Sequence, residues 1–366
     1  MSAATAAGTD GMVHDAGGAN GRPRIAWIDY SKGICIFLVV MLQANLEVQE
    51  TRGQVGWLEH VVAFARPFRM PDFFLIAGLF LASALRRSWR EYLDKKVLHF
   101  VYFYVLWAGI QFALFESRAE LAAGAGAAEL ARSYLLTYVE PVGSLWFIHS
   151  LALYFLLVRI TRRVPPWLIL VSTATLQCIG PDTPSSVIDE FCQRFVYFYS
   201  GYLFAPQIFR MADWALQFKD RALAYLLVWG LAEWWLVWRG WSALPGLGLA
   251  LGYFGAVAVV FMGALLSPLS QTGWLRYLGQ NSIVVYLAYY TAKRIGVAFG
   301  IGRIADVGTA ALALTVWSVA GALVIRWVTA RLGMHFLFVR PAWARLKSGG
   351  AEDRRAIASS TGAVAP

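Results

Sequence analysis

The feature that most constrains the fold is a series of ten apolar stretches, each near the length of a membrane-spanning helix. A helix needs about 20 apolar residues to cross about 30 Å of hydrocarbon. The stretches cover residues 31–47, 67–85, 97–115, 142–160, 166–180, 191–209, 222–238, 246–267, 281–300 and 307–330. The series predicts an all-α polytopic membrane protein with about ten transmembrane helices in one bundle.

The composition agrees with this class. Of the 366 residues, 58% are hydrophobic and only 15% are charged, whereas about 25% are charged in a soluble domain. The 16 Trp and 16 Tyr suit the aromatic belts of a membrane protein. The net charge of +10 does not indicate nucleic-acid binding, because Lys and Arg lie in short runs between the apolar stretches and form no aromatic-basic platform.

The distribution of basic residues predicts the orientation of the chain. Basic runs follow the second, fourth and sixth stretches and flank both ends of the series. Because short cytoplasmic loops carry an excess of Lys and Arg, both termini are predicted to be cytoplasmic. The longest external segment is then residues 116–141, whose Ala- and Glu-rich sequence predicts a short surface helix.

The ends of the chain differ from the predicted membrane domain, residues 24–340. Residues 1–23 lack the basic start and apolar core of a signal peptide, so they are predicted to be a disordered tail. Residues 341–366 are predicted to be a cytoplasmic tail. Cys178 and Cys192 flank a short external loop, where a disulfide is conceivable, but two separate buried thiols are the favoured interpretation.

Polar residues interrupt the first apolar stretch at both ends. Asp29 and Lys32 stand at its cytoplasmic mouth, where Lys32 can be an ordinary interfacial anchor or part of a polar entrance. Gln43 follows Lys32 by eleven residues, which is about 16 Å along a helix. A glutamine at this depth either makes an interhelical hydrogen bond or belongs to a functional site.

The second stretch opens with Arg69, Pro71 and Asp72. Proline is tolerated in the first turn of a helix, because its missing N–H would be unpaired there. Arg69 and Asp72 are three residues apart, so they can form a local ion pair. The alternative is that Arg69 binds a negatively charged group in the outer half of the bundle.

The fourth stretch begins with Trp146 and His149. Trp146 alone is a normal interface anchor. His149 lies about one turn deeper, where it is either a hydrogen-bonded core residue or a group that transfers protons near neutral pH.

The ninth stretch begins with Asn281, which is predicted to cap the helix, and continues with Tyr289. Lys293 and Arg294 follow near its outer end, where they either snorkel to the interface or serve an anionic ligand, and snorkelling is favoured. Glu233 in the seventh stretch is a possible partner for one of these cations. The sequence contains no phosphate-binding loop, metal-binding histidine pair or nucleophile elbow, so no metal is predicted.

Four segments, taken in order, resemble the membrane acyltransferase-three family. Residues 29–40 resemble its opening D-x-x-R/K-G helix, and residues 68–78 resemble its hMPxFFxxSG helix. Ser144-Leu-Trp-Phe-Ile is similar to its LWFL segment, and residues 278–287 are similar to its lGxxSlxiYlxH segment. The resemblance extends over about residues 24–340 and is closest to an uncharacterised inner-membrane branch.

The resemblance implies acyl transfer from a cytoplasmic donor, commonly acyl-CoA, to a hydroxyl of a cell-envelope carbohydrate or similar acceptor. The family includes O-acetyltransferases of surface polysaccharides and glucan succinyltransferases. No tightly bound cofactor is implied, and the partners are the acyl-CoA donor, the envelope glycan and the lipid bilayer. The candidate substrate-binding residues are Asp29, Lys32, Arg69, Trp146, Asn281 and Tyr289.

Several positions differ from the family pattern at the expected chemistry. The first helix usually carries Arg and, after ten residues, a His that acts as the base, but here the pair is Lys32 and Gln43. Ala77 stands at the family's small serine, and Tyr289 at its later histidine. His149 and Gln43 are therefore the candidate catalytic residues, with His149 as a base supplied from the fourth helix. The alternative is a catalytically degenerate member that acts as a scaffold or as a carrier of lipid or glycan.

Overall fold

The structure is a computed structural model that describes residues 25–141, 143 and 145–346. The predicted tail at 1–23, most of the predicted C-terminal tail and Ser144 lie outside the described residues. Within the described ranges the chain is helical and has no β-strand, which confirms the all-α prediction.

The helices follow one another with short connections. They are α1 (Ala26–Arg52), α2 (Leu58–Ala65), α3 (Arg69–Gly78), α4 (Leu81–Leu85), α5 (Trp89–Tyr92), α6 (Leu98–Gln111), α7 (Ser117–Ala122), α8 (Ala127–Leu136), α9 (Trp146–Ile160), α10 (Pro166–Ile179), α11 (Ser186–Leu203), α12 (Ala205–Gln217), α13 (Lys219–Trp238), α14 (Leu247–Leu266), α15 (Gly273–Gln280), α16 (Ser282–Ala298) and α17 (Val307–Arg331). Two π-helical turns, Leu93–Val97 and Phe112–Glu116, join α5, α6 and α7 into one helical segment.

Several of these segments are suited to a membrane. Among the described residues, four are long and apolar enough to cross it: Ala26–Arg52, Trp89–Ala122, Leu247–Leu266 and Val307–Arg331. A fifth is added if Leu58–Ala65 and Arg69–Leu85, which meet at a bend of 41°, form one broken span. The protein is therefore an integral membrane protein, while the count of ten spans and the side of the termini stay predictions.

The predicted stretches coincide with helices, with two breaks that the sequence reading missed. The second stretch, residues 67–85, is divided at Leu79 and Phe80, between α3 and α4. The sixth stretch, residues 191–209, is divided because α11 ends at Leu203 and α12 begins at Ala205. Pro206 occupies the first turn of α12, where its lack of an N–H is tolerated. Pro71 lies in the first turn of α3, as predicted. A separate short helix is present within residues 116–141, as α8, whereas α7 continues the segment Trp89–Ala122. The position of α8 at the membrane surface stays a prediction.

The first helix is the centre of the bundle. It packs against α3, α14, α15, α16 and α17. A helix that is apolar on all sides is suited to such a position, and fourteen of its 27 residues are buried. Its polar residues consequently face other helices, which is why Asp29 and Asn45 are buried. All three cysteines are free thiols, so Cys178 and Cys192 are separate as favoured, but only Cys192 of these two is buried and Cys178 is half-buried.

Backbones approach one another closely at paired glycines. A Cβ atom on Gly279 would lie 1.7 Å from the carbonyl oxygen of Asp29, and one on Gly33 would lie 2.2 Å from the carbonyl oxygen of Leu275. A second pair, Gly78 and Gly201, makes the same contact between α3 and α11. Small residues permit such close helix packing in membranes, and the first pair fixes α15 against the N-terminal end of α1.

Candidate functional site

The lysine cavity is a space of about 230 Å³ that Lys32 of α1 and Lys96 both line. Its other walls come from α3, α6, α9, α16 and the connection between α3 and α4, and they are mostly apolar. They are Phe73, Ile76, Ala77, Phe80, Phe100, Phe147, Ile148, Leu151, Phe155, Ser282, Ile283 and Tyr286. The cavity therefore combines two cationic groups with an aromatic and aliphatic lining.

Lys96 reaches this cavity from the π-helical turn Leu93–Val97. Single π-turns inside α-helices are frequent at functional sites. The Lys96 Nζ atom lies 4.8 Å from the centroid of the Phe155 ring, and the Lys96 and Lys32 ammonium groups act on each other electrostatically. Like charges in a partly buried space repel, so an anion in the cavity would stabilise both. Sequence reasoning missed Lys96 as a site residue, because it lies in a basic run that indicates topology.

Tyr286 provides a hydroxyl group at the wall of the lysine cavity. It accepts a hydrogen bond from the backbone N–H of Phe147 at 3.1 Å. This bond holds the start of α9 against α16. Ala77, at the position of the family's serine, also lines the cavity but offers no hydroxyl. Tyr289 is buried one turn beyond Tyr286, with ring centroids 6.3 Å apart, and does not line the cavity.

Asp29 and Asn281 lie beside the lysine cavity, and neither is part of its lining. Asp29 accepts a hydrogen bond from Gln280 at 3.3 Å. Asn281 precedes α16 as predicted, but its side chain makes no capping bond. Its amide instead donates to the Tyr277 carbonyl at 2.8 Å and accepts from Arg326. The predicted cap is therefore right in position and wrong in its hydrogen bond, since Arg326 competes for the side chain.

The two candidate catalytic residues do not line the lysine cavity. Ile148 does, and the next residue of a helix points about 100° away. His149 accordingly packs against Tyr104, with ring centroids 5.0 Å apart, and its buried Nδ1 has no hydrogen-bond partner among the described residues. Gln43 is half-buried on α1, three turns beyond Lys32. The structure does not bring the two into one cavity.

A second cationic cluster, the arginine cluster, consists of Arg69 of α3 and Arg194 of α11. Arg69 is only 8% exposed, and its Nε and Nη1 have no hydrogen-bond partner in the described part of the chain. Arg194 forms an ion pair with Glu190 and lies 5.2 Å from the centroid of the Trp146 ring. The two arginines act on each other electrostatically. The cluster brings together Arg69 and Trp146, both predicted from the sequence, with Arg194, which was not.

The local ion pair between Arg69 and Asp72 does not form. Neither oxygen of Asp72 has a hydrogen-bond partner in the described ranges. The charged groups that act on Arg69 are Arg194, Arg66, Glu59 and Glu190, whereas Asp72 acts on Cys35 and Tyr197. Spacing of three residues permits contact in a helix but does not require it. Here the two side chains interact with different charged groups.

Comparison with protein families identifies the domain that contains the lysine cavity and the arginines. The family model described as an acyltransferase domain, Acyl_transf_3, matches residues 25–327. The chain belongs to this acyltransferase family. No curated protein and no solved structure matches the chain. The match confirms the resemblance and includes both the lysine cavity and the arginine cluster.

The acyltransferase domain has an ion-pair cluster near the C-terminal end of α1 that the sequence reading did not predict. Glu47 binds Lys293 at 2.7 Å and lies 3.6 Å from Arg294. The side chain of Lys293 is only 6% exposed, so the favoured prediction that it snorkels to the interface is wrong. The suggested partner Glu233 has no hydrogen-bond partner among the described residues. Glu47 takes that place because α1 packs directly on α16.

Glu47→Ala should destabilise the protein by about 3–5 kcal/mol, because it leaves a buried ammonium group without its counter-charge. Thermal unfolding in detergent measures the loss. The double variant Glu47→Ala/Lys293→Met should recover most of the stability. Glu91→Ala is the control, since Glu91 pairs with Lys95 and Arg87 on the surface and such pairs contribute about 0–1 kcal/mol. Equal losses for Glu47→Ala and Glu91→Ala would contradict this account.

Proposed function

We propose that the protein is an inner-membrane acyltransferase that moves an acyl group from a cytoplasmic acyl-CoA-type donor to a hydroxyl of a cell-envelope carbohydrate or similar acceptor. Membership of the acyltransferase family supports the reaction class. The donor, the acceptor and the cellular membrane are part of the proposal. So are ten spans with both termini cytoplasmic, since the basic runs favour that orientation.

The observation that carries the proposal is the lysine cavity. An acyl-CoA donor combines phosphate groups with an apolar acyl chain, and the cavity combines two ammonium groups with apolar walls. In the predicted orientation Lys32 lies at the cytoplasmic end of α1. The two lysines are therefore assigned to the anionic part of the donor, and Phe73, Ala77 and Ile148 to its acyl chain.

In the proposed transfer, the acceptor hydroxyl oxygen attacks the thioester carbonyl. The new C–O bond forms as the C–S bond breaks, and the hydroxyl proton passes by way of a base to the departing thiolate. His149 is proposed as this base. Because its ring faces Tyr104 instead of the lysine cavity, the acceptor would have to approach from the side of α6 and α8.

The outer half of the bundle is assigned to the acceptor. Arg69 has unpartnered guanidinium nitrogens, which suit an anionic group of the acceptor or of the reaction intermediate. Trp146 provides an aromatic surface beside Arg194. Gln43 is assigned to positioning the acceptor. Asp29, Asn281 and Tyr289 do not line the lysine cavity, and they are assigned to supporting the residues that bind the substrates.

A second function, that of a catalytically degenerate scaffold or carrier of lipid or glycan, is favoured by one observation. Gln43 replaces the family's base, and neither Gln43 nor His149 lines the lysine cavity. A carrier on this fold would still bind an anionic ligand through Lys32 and Lys96. Binding alone therefore does not separate the two functions, whereas turnover does.

Turnover of a panel of acyl-CoAs by the detergent-purified protein tests the proposed function. We expect slow release of free CoA by the wild type, since water can replace the missing acceptor, and a loss of at least about 10²-fold in His149→Ala, the usual range for a general base. Unchanged thermal unfolding of His149→Ala serves as the folding control. An inert wild type together with an active Gln43→His variant would instead identify a degenerate member.

A further inference from the structure

Two carboxyl groups are buried inside the bundle with nothing in the described residues to neutralise them. Asp72 of α3 is 1% exposed and Glu233 of α13 is 0% exposed. All four of their carboxyl oxygens are inaccessible, and among the described residues none accepts a hydrogen bond of normal geometry; the indole N–H of Trp229 lies near Glu233 but is not aligned for such a bond. Buried polar groups are nearly always paired, so each such group requires an explanation.

The two carboxyl groups belong to one cluster. Glu233 acts electrostatically on Asp72, although α3 and α13 are far apart in the sequence. α14 lies between them and packs on both helices. A negative charge on either group would therefore raise the energy of a charge on the other.

Among the described residues, the groups that interact with the pair provide no cation. Cys35 of α1 and Tyr197 of α11 interact with Asp72, and Tyr225 and Trp229 of α13 interact with Glu233. All four are uncharged side chains near neutral pH. Arg69 lies one turn before Asp72 but forms no ion pair with it in the described part of the chain.

An unpaired carboxylate in such a position is unfavourable enough that the group takes up a proton instead. When two carboxyl groups interact, a charge on one favours protonation of the other, so the pair takes up its first proton as a unit and not as two independent residues. A metal ion is a poorer explanation, because no group of three or more His, Cys, Asp or Glu side chains suited to a metal occurs among the described residues.

We propose that Asp72 and Glu233 form a proton-binding site within the bundle, which holds at least one proton at neutral pH. The proton removes the unfavourable charge and converts a carboxylate into a hydrogen-bond donor. Asp72 directly precedes Phe73, a wall residue of the lysine cavity. Protonation therefore keeps negative charge away from a cavity suited to anions. The site does not depend on whether the protein transfers acyl groups.

Infrared spectroscopy of the purified full-length protein in nanodiscs tests the proposal directly. A protonated carboxyl group has a C=O stretching band that is separate from the carboxylate bands and shifts in heavy water. We expect this band in the wild type at neutral pH, and we expect Asp72→Asn and Glu233→Gln each to reduce it and the double variant to abolish it. Glu91→Gln is the control, because Glu91 is exposed and ion-paired and should leave the band unchanged.

Thermal unfolding provides a second, independent measurement. An amide has nearly the shape of a protonated carboxyl group, so Asp72→Asn and Glu233→Gln should unfold at the temperature of Glu91→Gln. Absence of the band in the wild type would overturn the proposal. A wild type without the band whose unfolding temperature rises with Na⁺ or K⁺ would show a cation bound to ionised carboxylates instead. Survival of the full infrared band in the double variant would also overturn the proposal, because the protonated group would then lie elsewhere.

Discussion

Replacing both Lys32 and Lys96 by glutamine is expected to weaken the binding of acyl-CoA by about 10²–10⁴-fold. A hydrogen bond to a charged group contributes about 1.5–3 kcal/mol, and each 1.4 kcal/mol is a factor of ten in affinity. Each lysine alone should therefore account for about 10–100-fold. The prediction follows from the shared lining of one cavity by the two ammonium groups.

Binding is best measured by calorimetry with a thioether analogue of acyl-CoA, so that turnover does not interfere. Lys95→Gln is the matched control. Lys95 is adjacent to Lys96 in the sequence, but its side chain is 55% exposed and pairs with Glu91 at 2.8 Å on the surface. The Lys95→Gln variant should bind the analogue with the affinity of the wild type. Equal weakening by Lys95→Gln and Lys96→Gln would mean that general surface charge, and not the lysine cavity, attracts the ligand.

The salt dependence of the same measurement separates a buried site from a surface patch. Exposed charges are screened within about 10 Å at 0.1 M ionic strength, whereas partly buried charges are screened much less. Affinity for the lysine cavity should consequently fall only modestly with added salt. A steep fall would again indicate attraction to the basic runs that flank the apolar stretches.

The positions of the helices could be predicted from the sequence because lipid imposes a strict length on apolar segments. α14 and α17 lie almost exactly over the predicted stretches, since few polar residues interrupt them. The break at Phe204 was missed because apolarity continues across it. There a single backbone feature, Pro206 in the first turn of α12, outweighs the hydropathy.

The site was predictable only in part. A sequence shows on which face of its own helix a residue lies, but it does not show which other helix packs against that face. Lys32, which is half-buried, and Arg69, which is buried, could be selected from their positions at the ends of apolar stretches. The shared lining of one cavity by Lys32 and Lys96 depends on α9, which holds the π-helical turn beside the cavity that Lys32 lines from α1. The partner of Lys293 likewise depends on the packing of α1 on α16, which places Glu47 there instead of Glu233.

Gly279→Ala is expected to lower the stability of the protein more than any other single methyl addition described above. Its Cβ atom would lie 1.7 Å from the Asp29 carbonyl oxygen and 2.9 Å from the Gly33 backbone nitrogen. Overpacking a core usually costs about 1–3 kcal/mol, and the neighbouring atoms here are backbone, which cannot rotate away. We therefore expect a cost at or above the upper end of that range, measured by thermal unfolding in detergent.

The same substitution should also reach the lysine cavity, because α15 must move away from the segment of α1 that carries Lys32. Binding of the acyl-CoA analogue should weaken even at temperatures where Gly279→Ala stays folded. Gly230→Ala in α13 is the control: its Cβ atom would meet nothing within 4 Å, and alanine is more stable than glycine inside a helix by about 0.5–1 kcal/mol. Similar unfolding temperatures for the two variants would show that α1 and α15 are not in direct backbone contact. A destabilised Gly279→Ala that binds normally would separate the packing of α15 from the geometry of the cavity.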